Sequence, residues 1–277
     1  MESVRVAVVQ MASGPKVSAN LDETARLLAD AAARGAKLAV LPENFALMGR
    51  SLKENLEIRE QPESGPIQDF LAQQAKNNGM WLVGGTIPMQ TESPDKVRAA
   101  CILFDDNGAQ VSRYDKIHLF DVLVNGDSQE HYAESETIDA GAQVSVTDTP
   151  FGRLGLAVCY DLRFPELFRA MVVEGAEIIA LPSAFTAVTG RAHWETLIRA
   201  RAVENLCFML AADQGGFHVS GRETYGDSMV VDPWGTILDR LPKGPGVIVQ
   251  DVELERVHQL RRSFPAIDHI RLTCEPR

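Results

Sequence analysis

Cysteine is scarce in this chain, and the little there is shows no pairing pattern. The four cysteines among 277 residues are Cys101, Cys159, Cys207 and Cys274, none at C-x-x-C spacing, which excludes the common zinc-ribbon and dithiol redox arrangements. No cluster of His, Asp and Glu has metal-ligand spacing, so no metal is expected. There is no Gly-x-Ser-x-Gly elbow, no Gly-x-Gly-x-x-Gly and no P-loop. A serine-hydrolase scheme and the use of dinucleotide or ATP are therefore unsupported, and no cofactor is expected. Nowhere do 18 apolar residues run consecutively, and Met1-Glu-Ser-Val-Arg5 leads into an alternating strand without an apolar signal core. A soluble protein, no membrane partner and the reducing cytoplasm are the expectation. No basic block occurs either. Arg261-Arg262 reads as an isolated, solvated helix end, and a formal net charge of −11 argues against nucleic acid and anionic membranes as partners.

What is present suits one large layered domain. The 45% hydrophobic content is ample for a core, and no linker divides 1–277. Two segments read as polar loops, Pro88–Pro94 and Val124–His131, the second expected near a pocket mouth. The chain also echoes itself. Gly35-Ala-Lys-Leu-Ala-Val-Leu-Pro-Glu-Asn-Phe-Ala46 and Gly175-Ala-Glu-Ile-Ile-Ala-Leu-Pro-Ser-Ala-Phe-Thr186 share Gly, Ala, Leu, Pro and Phe in register. Each follows a strand (Arg5–Gln10; Arg153–Val158) and a helix (about Asn20–Arg34; about Pro165–Glu174) that stops at the glycine. Further strands are read at Met80–Ile87, Ala99–Phe104, Phe208–Asp213, Ser228–Val231 and Gly246–Glu253. Asp105–Gly108 and Asp232–Gly235 read as tight turns between paired strands, and His193–Asn205 as a helix with Trp194, Leu197, Ile198 and Val203 on one side. Periodicity alone leaves a Rossmann-type sheet and a two-sheet sandwich both open.

Three segments carry chemistry. The apolar run Leu154–Val158 delivers Cys159 to a strand's carboxyl end, and Tyr160-Asp161-Leu162-Arg163 then leads into Pro165 and a helix. Open α/β folds keep reactive groups at such places, and a helix N-terminus is expected to lower a thiol's pKa. Leu38-Ala-Val-Leu-Pro-Glu43 is a second apolar strand ending on a carboxylate. Arg113-Tyr-Asp-Lys116-Ile-His-Leu-Phe120 sets a lysine in a semi-apolar segment. Each residue alone has a plain reading: a core cysteine, an exposed acid, a solvated lysine. Leu-Pro-Glu43, Tyr-Asp-Lys116 and Val-Cys159-Tyr-Asp in that order resemble the nitrilase (carbon–nitrogen hydrolase) superfamily. Ser183-Ala-Phe, Thr189–Glu195, Arg199–Glu204 and Tyr225–Gly235 extend the resemblance to its Nit branch over essentially the whole chain.

The resemblance implies a four-layer α-β-β-α sandwich and a cofactor-independent amidase acting on a small-molecule amide. Its first candidate substrate is deaminated glutathione, with α-ketoglutaramate as the alternative and a catalytically silent interaction module as a different class. Amide hydrolysis needs a nucleophile, a base and an oxyanion holder. Cys159 is the nucleophile candidate. Glu43, partly desolvated at its strand end, is the candidate base, and Lys116 with the Tyr160 backbone N–H faces the developing oxyanion. Glu134 matches the family's second glutamate and is expected to orient Lys116, whereas Glu136 reads as solvated. Arg163 is a candidate carboxylate clamp or an ion-pair partner of Asp161 or Glu166. Tyr160, Phe185 and Thr189 are expected to face the same cleft. His118 and His193 lie outside cysteine-protease motifs. The resemblance also implies a homodimer, through the surface next to Asp161–Phe164 and the helix His193–Asn205, whose Trp194, Leu197 and Ile198 read as an apolar stripe rimmed by Arg199 and Arg201.

Overall fold

In the computed structural model, which describes residues 3–125 and 129–272, the chain folds as two halves of like design. The first runs β1 (Val4–Gln10), α1 (Val17–Ala33), β2 (Leu38–Val40), α2 (Glu54–Glu57), α3 (Pro66–Asn78), β3 (Trp81–Val83), β4 (Ile87–Gln90), β5 (Val97–Phe104) and β6 (Gln110–Asp115). A hairpin follows, β7 (Asp121–Asn125) and β8 (Gln129–Ala133). The second half runs β9 (Val146–Thr149), β10 (Gly152–Leu156), α4 (Pro165–Val173), β11 (Ile178–Ser183), α5 (Ala187–Asn205), β12 (Phe208–Asp213), β13 (Ser228–Val231) and β14 (Ile237–Leu241). It closes with β15 (Gly246–Val252) and α6 (Leu254–Ser263).

The echo in the sequence is an echo in topology. β1, β2 and β3 run parallel in one sheet, as do β10, β11 and β12 in the other. Both α1 and α4 close with the same pair of bonds: Gly35 N–H to Ala32 and Ala36 N–H to Ala31, then Gly175 N–H to Val172 and Ala176 N–H to Met171. The sheets lie face to face. Val4, Val6 and Val8 of β1 point into a core shared with Leu154, Leu156, Met209 and Ala211, while Ala7 and Val9 point outward against Leu27, Leu28 and Leu71 of α1 and α3. On the far side Phe168, Met171, Trp194 and Ile198 of α4 and α5 cover the second sheet. That is the four-layer α-β-β-α sandwich. The last strand crosses back, with β15 pairing antiparallel to β1 over seven residues and tying the C-terminal region to the first sheet.

Several elements differ from the sequence reading. The strand expected over Met80–Ile87 breaks after Val83, because at Gly85 (φ 61°) an added Cβ would sit 2.3 Å from the Pro42 carbonyl oxygen. β4 then takes Pro88–Gln90 out of the expected loop and pairs them with β5. The segment Val124–His131 is not simply a loop, since its ends belong to the paired strands β7 and β8; residues 126–128 lie outside the described residues, as does Cys274. Helix α5 starts at Ala187 rather than His193, since the Thr186 side chain caps it by accepting the Thr189 N–H (3.3 Å). Its Val203 is 47% exposed while Trp194 and Ile198 are fully buried, so these do not share a face. Arg261 is no solvated helix end, for its guanidinium donates to the Ala176 carbonyl (2.7 Å) and the Leu206 carbonyl (3.2 Å). No described helix is long and apolar enough to cross a membrane.

Candidate active site

β10 ends at Leu156, and the chain reaches Cys159 through a sharp elbow. Cys159 has φ 47°, a left-handed backbone that costs a non-glycine residue about 1–2 kcal/mol and persists only where its surroundings enforce it. The enforcement comes from Asp161. Its backbone N–H donates to the Val158 carbonyl (3.0 Å), and its carboxylate accepts the Val158 N–H (2.8 Å). The same buried carboxylate accepts the Tyr114 hydroxyl (2.7 Å) and the His118 backbone N–H (3.1 Å), and lies 2.7 Å from His118 Nδ1. The segment bearing Lys116 is thereby bolted to the turn bearing Cys159. From the other side Arg201, which the sequence placed on an interface rim, donates twice to the Leu162 carbonyl (3.0 and 2.8 Å). It is 5% exposed and supports the elbow from within the fold.

The three segments named from sequence meet. Lys116 is buried, with Nζ 2.8 Å from Glu43 Oε1 and 2.8 and 3.1 Å from the two Glu134 oxygens. Glu134 also accepts the Phe120 N–H (2.8 Å), which leaves it little freedom to move away. Glu43 is positioned through its backbone, whose carbonyl accepts Gln214 Nε2 (3.0 Å). Burial works to discharge the Lys116 ammonium, but Glu134 and Glu43, with a contribution from Cys159, overcome it and hold its pKa well above the ordinary lysine value. Neither the exposed-acid nor the solvated-lysine reading holds.

For Cys159 the outcome is opposite to the sequence expectation. Burial first, then the Glu43 charge, push the thiol's pKa well up; Lys116 and the Ala184 N–H pull against them without prevailing. The helix-end effect does not win because the thiol is desolvated beside a carboxylate, and α4 begins only at Pro165. A protonated thiol beside a fixed carboxylate needs that carboxylate, or another base, to become a nucleophile.

A narrow cavity opens over this group. Cys159, Glu43 and Glu134 line its floor; Tyr160, Phe120, Phe185, Thr186 and Thr189 form its sides. Arg163 is not in that wall. Its guanidinium lies 5.3 Å from the Phe185 ring centroid and 5.9 Å from that of Tyr160, and 3.3 Å from His193 Nδ1, behind the aromatic rings. Nor does it pair with Asp161, whose oxygens are taken by Tyr114, Val158 and His118. Glu136 is exposed, as expected. The residue sequence reasoning missed is Arg222, the cation that does line the cavity, from the loop between β12 and β13. Beside it lies a wider chamber of about 480 Å³, bordered by Asn44, Ser51, Asn55, His131, Tyr132 and Ser220, and Arg222 belongs to both walls.

Comparison with known proteins agrees with this architecture. A carbon–nitrogen hydrolase family model matches residues 5–262. The deaminated glutathione amidase of Yersinia enterocolitica is 42% identical over 272 residues, covering 98% of this chain and 94% of that protein. Saccharomyces cerevisiae Nit3, a member of branch 10 of the nitrilase superfamily, superposes with a TM-score of 0.85 at 32% identity over 95% of each chain. A mutant of the amidase from Nesterenkonia sp. AN1, in which acrylamide has added to the active-site cysteine, superposes at 0.78 with 27% identity, covering 95% of this chain and 98% of that one. The match across nearly the whole length makes the chain a hydrolase of carbon–nitrogen amide bonds, and it belongs to the carbon–nitrogen hydrolase family.

Proposed function

We propose that this chain hydrolyses the amide of a small α-keto dicarboxylic acid derivative, deaminated glutathione first, through a thioester on Cys159. The observation that carries the reading is the buried Lys116, held between Glu43 and Glu134 next to a protonated thiol. Glu43 takes the thiol proton as Cys159 attacks the amide carbon. Lys116 and the Tyr160 N–H hold the oxyanion of the tetrahedral intermediate. On collapse Glu43 gives its proton to the departing amine or ammonia, and then deprotonates the water that opens the thioester, so that the thiol returns with its proton. Glu134 exchanges no proton. It keeps Lys116 in place, with Phe120 N–H fixing its own orientation.

The relatives' name supports deaminated glutathione, and so does the wide chamber beside the cavity, since this substrate releases a dipeptide while α-ketoglutaramate releases only ammonia. A panel of ω-amides and γ-linked keto acids, read by product release, tests the reading. The highest kcat/KM is expected for deaminated glutathione. A clear preference for α-ketoglutaramate makes the protein an omega-amidase instead, and no hydrolysis of either removes the reading. The reading takes 1–277 as one domain in the cytoplasm, consistent with Cys101, Cys159 and Cys207 standing as free thiols.

Lys116→Ala is expected to lower kcat by about 10²–10³-fold with a much smaller change in KM, because the cation acts on charge that develops in the transition state. It leaves Glu43 and Glu134 buried without their shared cation, which should cost about 3–5 kcal/mol of stability. Denaturant unfolding alongside steady-state kinetics checks both. Unchanged kcat with only weakened binding would make Lys116 a substrate anchor.

The reading also includes a homodimer. Trp194 and Ile198 are committed to the chain's own core, so the apolar stripe expected there is not available. The exposed apolar surface nearby is Val203, Trp234 and Phe264, the last two rings meeting edge to face at 5.9 Å. Sedimentation at micromolar concentration should give twice the chain mass, and a fully active monomer removes this part of the reading.

A further inference from the structure

Within the proposed reaction the substrate's keto-acid carboxylate needs a cation of its own, because Lys116, between Glu43 and Glu134, is engaged at the reacting carbonyl. We propose that Arg222 is the specificity residue that binds this carboxylate, at the boundary between the narrow cavity over Cys159 and the wider chamber beside it. The inference rests on the substrate class proposed above and adds the residue that selects it.

Four observations carry it. Arg222 lines both cavities, so its guanidinium stands where an acyl chain attached at Cys159 would run. Arg222 is half-buried, and its nearest charge partner is the buried Asp213 carboxylate, which feels the guanidinium electrostatically while its own oxygens accept the Phe185 and Gly226 N–H groups. Its Nε is buried and has no hydrogen-bond partner, a donor withheld from water and from protein alike. The rest of the group is held: Nη2 donates to the Ala184 carbonyl, and the guanidinium lies 5.1 Å from the Tyr132 ring centroid. The guanidinium is thus fixed at the boundary of the two cavities with only Nη2 committed to protein, a planar fork suited to a carboxylate.

The geometry also links binding to the nucleophile. The Ala184 carbonyl accepts from Arg222, and Ala184 lines the narrow cavity together with Cys159. One residue therefore spans the carboxylate site and the reacting thiol. Arg163, the cation that sequence favoured, lies behind Tyr160 and Phe185 and has no place in either wall.

The test compares two amides of matched shape: α-ketoglutaramate, whose only carboxylate is on the acyl side, and 4-oxopentanamide, in which a methyl group replaces that carboxylate. The wild-type protein is expected to favour the acid, and Arg222→Gln to reduce the acid-to-neutral ratio of kcat/KM by about 100-fold, mainly through KM. Arg222→Lys, with charge but no planar fork, should restore part of it. Binding of α-ketoglutarate, measured by calorimetry without turnover, should weaken by a similar factor in Arg222→Gln and stay within about threefold in Arg163→Gln. If Arg222→Gln lowers both amides equally, the residue only supports the Ala184 loop and the proposal is overturned. It is overturned likewise if Arg163→Gln erases the preference. If wild-type protein cleaves neither amide nor deaminated glutathione, the substrate class itself is wrong, an outcome distinct from both.

Discussion

Cys159→Ala is expected to abolish turnover, lowering kcat by at least about 10⁴-fold, while the protein stays folded. The loss is large because the thiol is the only group in the cavity floor able to form the covalent intermediate; Glu43 and Glu134 are committed to Lys116. The fold survives because alanine accepts the φ of 47° no worse than cysteine does, and the Asp161 bonds that shape the elbow are untouched. Removing one sulfur from a 7%-exposed position should change stability by no more than about 1–2 kcal/mol. Intact-mass analysis after mixing with substrate should show an acyl adduct on the wild-type chain and none on Cys159→Ala. Cys159→Ser keeps a hydroxyl in the same place, but an alcohol is far harder to deprotonate, so it should remain below about 1% of wild type. Substantial hydrolysis by Cys159→Ala would remove the nucleophile assignment and with it the thioester.

Glu43 and Cys159 were legible in sequence for a physical reason: each follows a run of buried apolar residues, Leu38–Leu41 and Leu154–Val158, and a polar residue at the end of such a run is displaced from the core to its rim. The echo of Leu-Pro-Glu43 in Leu-Pro-Ser183 pointed to two equivalent strand ends, and β2 and β11 do occupy equivalent places in the two sheets. Lys116 and Glu134 needed the family resemblance, since neither sits in a periodic element. Lys116 follows β6 and Glu134 opens a short 3₁₀ turn, and only their meeting in space makes them a pair.

Other features were hidden by the same physics. Arg222 comes from the 214–227 segment, which carries four glycines and shows no apolar period; its importance lies in which carbonyl and which ring it reaches. Helix α5 was read six residues short because its first turn, Ala187-Val-Thr-Gly190, has no apolar stripe, and the cap on Thr186 decides its start. Helix α3 went unread despite Pro66 at its first position, Ile67, Leu71 and Ala75 on its buried face and Gly79 at its stop, signals that were sufficient. The thiol's pKa could not be read from local sequence at all. It is raised first by a burial that only the assembled sandwich creates, and then by Glu43, a residue from the other sheet.

That raised pKa makes Glu43→Gln the most informative substitution after the nucleophile itself. Turnover is expected to fall by about 10³–10⁴-fold, because in the proposed reaction one carboxylate serves both thiol attack and thioester hydrolysis. The site should keep its shape: Lys116 retains Glu134, and the glutamine amide is close in size to the carboxylate it replaces. Without Glu43 the Cys159 proton must leave to solvent, and burial still opposes the thiolate. Acylation in Glu43→Gln should therefore be slow at neutral pH and rise about tenfold per pH unit as the solution becomes alkaline, a slope the wild-type protein, with its internal base, does not share. Any acyl-enzyme that does form should persist, since the water that opens it has also lost its base. Single-turnover measurements with intact-mass detection across a pH series resolve the two steps. Rapid acylation of Glu43→Gln at neutral pH would show that a group other than Glu43 takes the thiol proton.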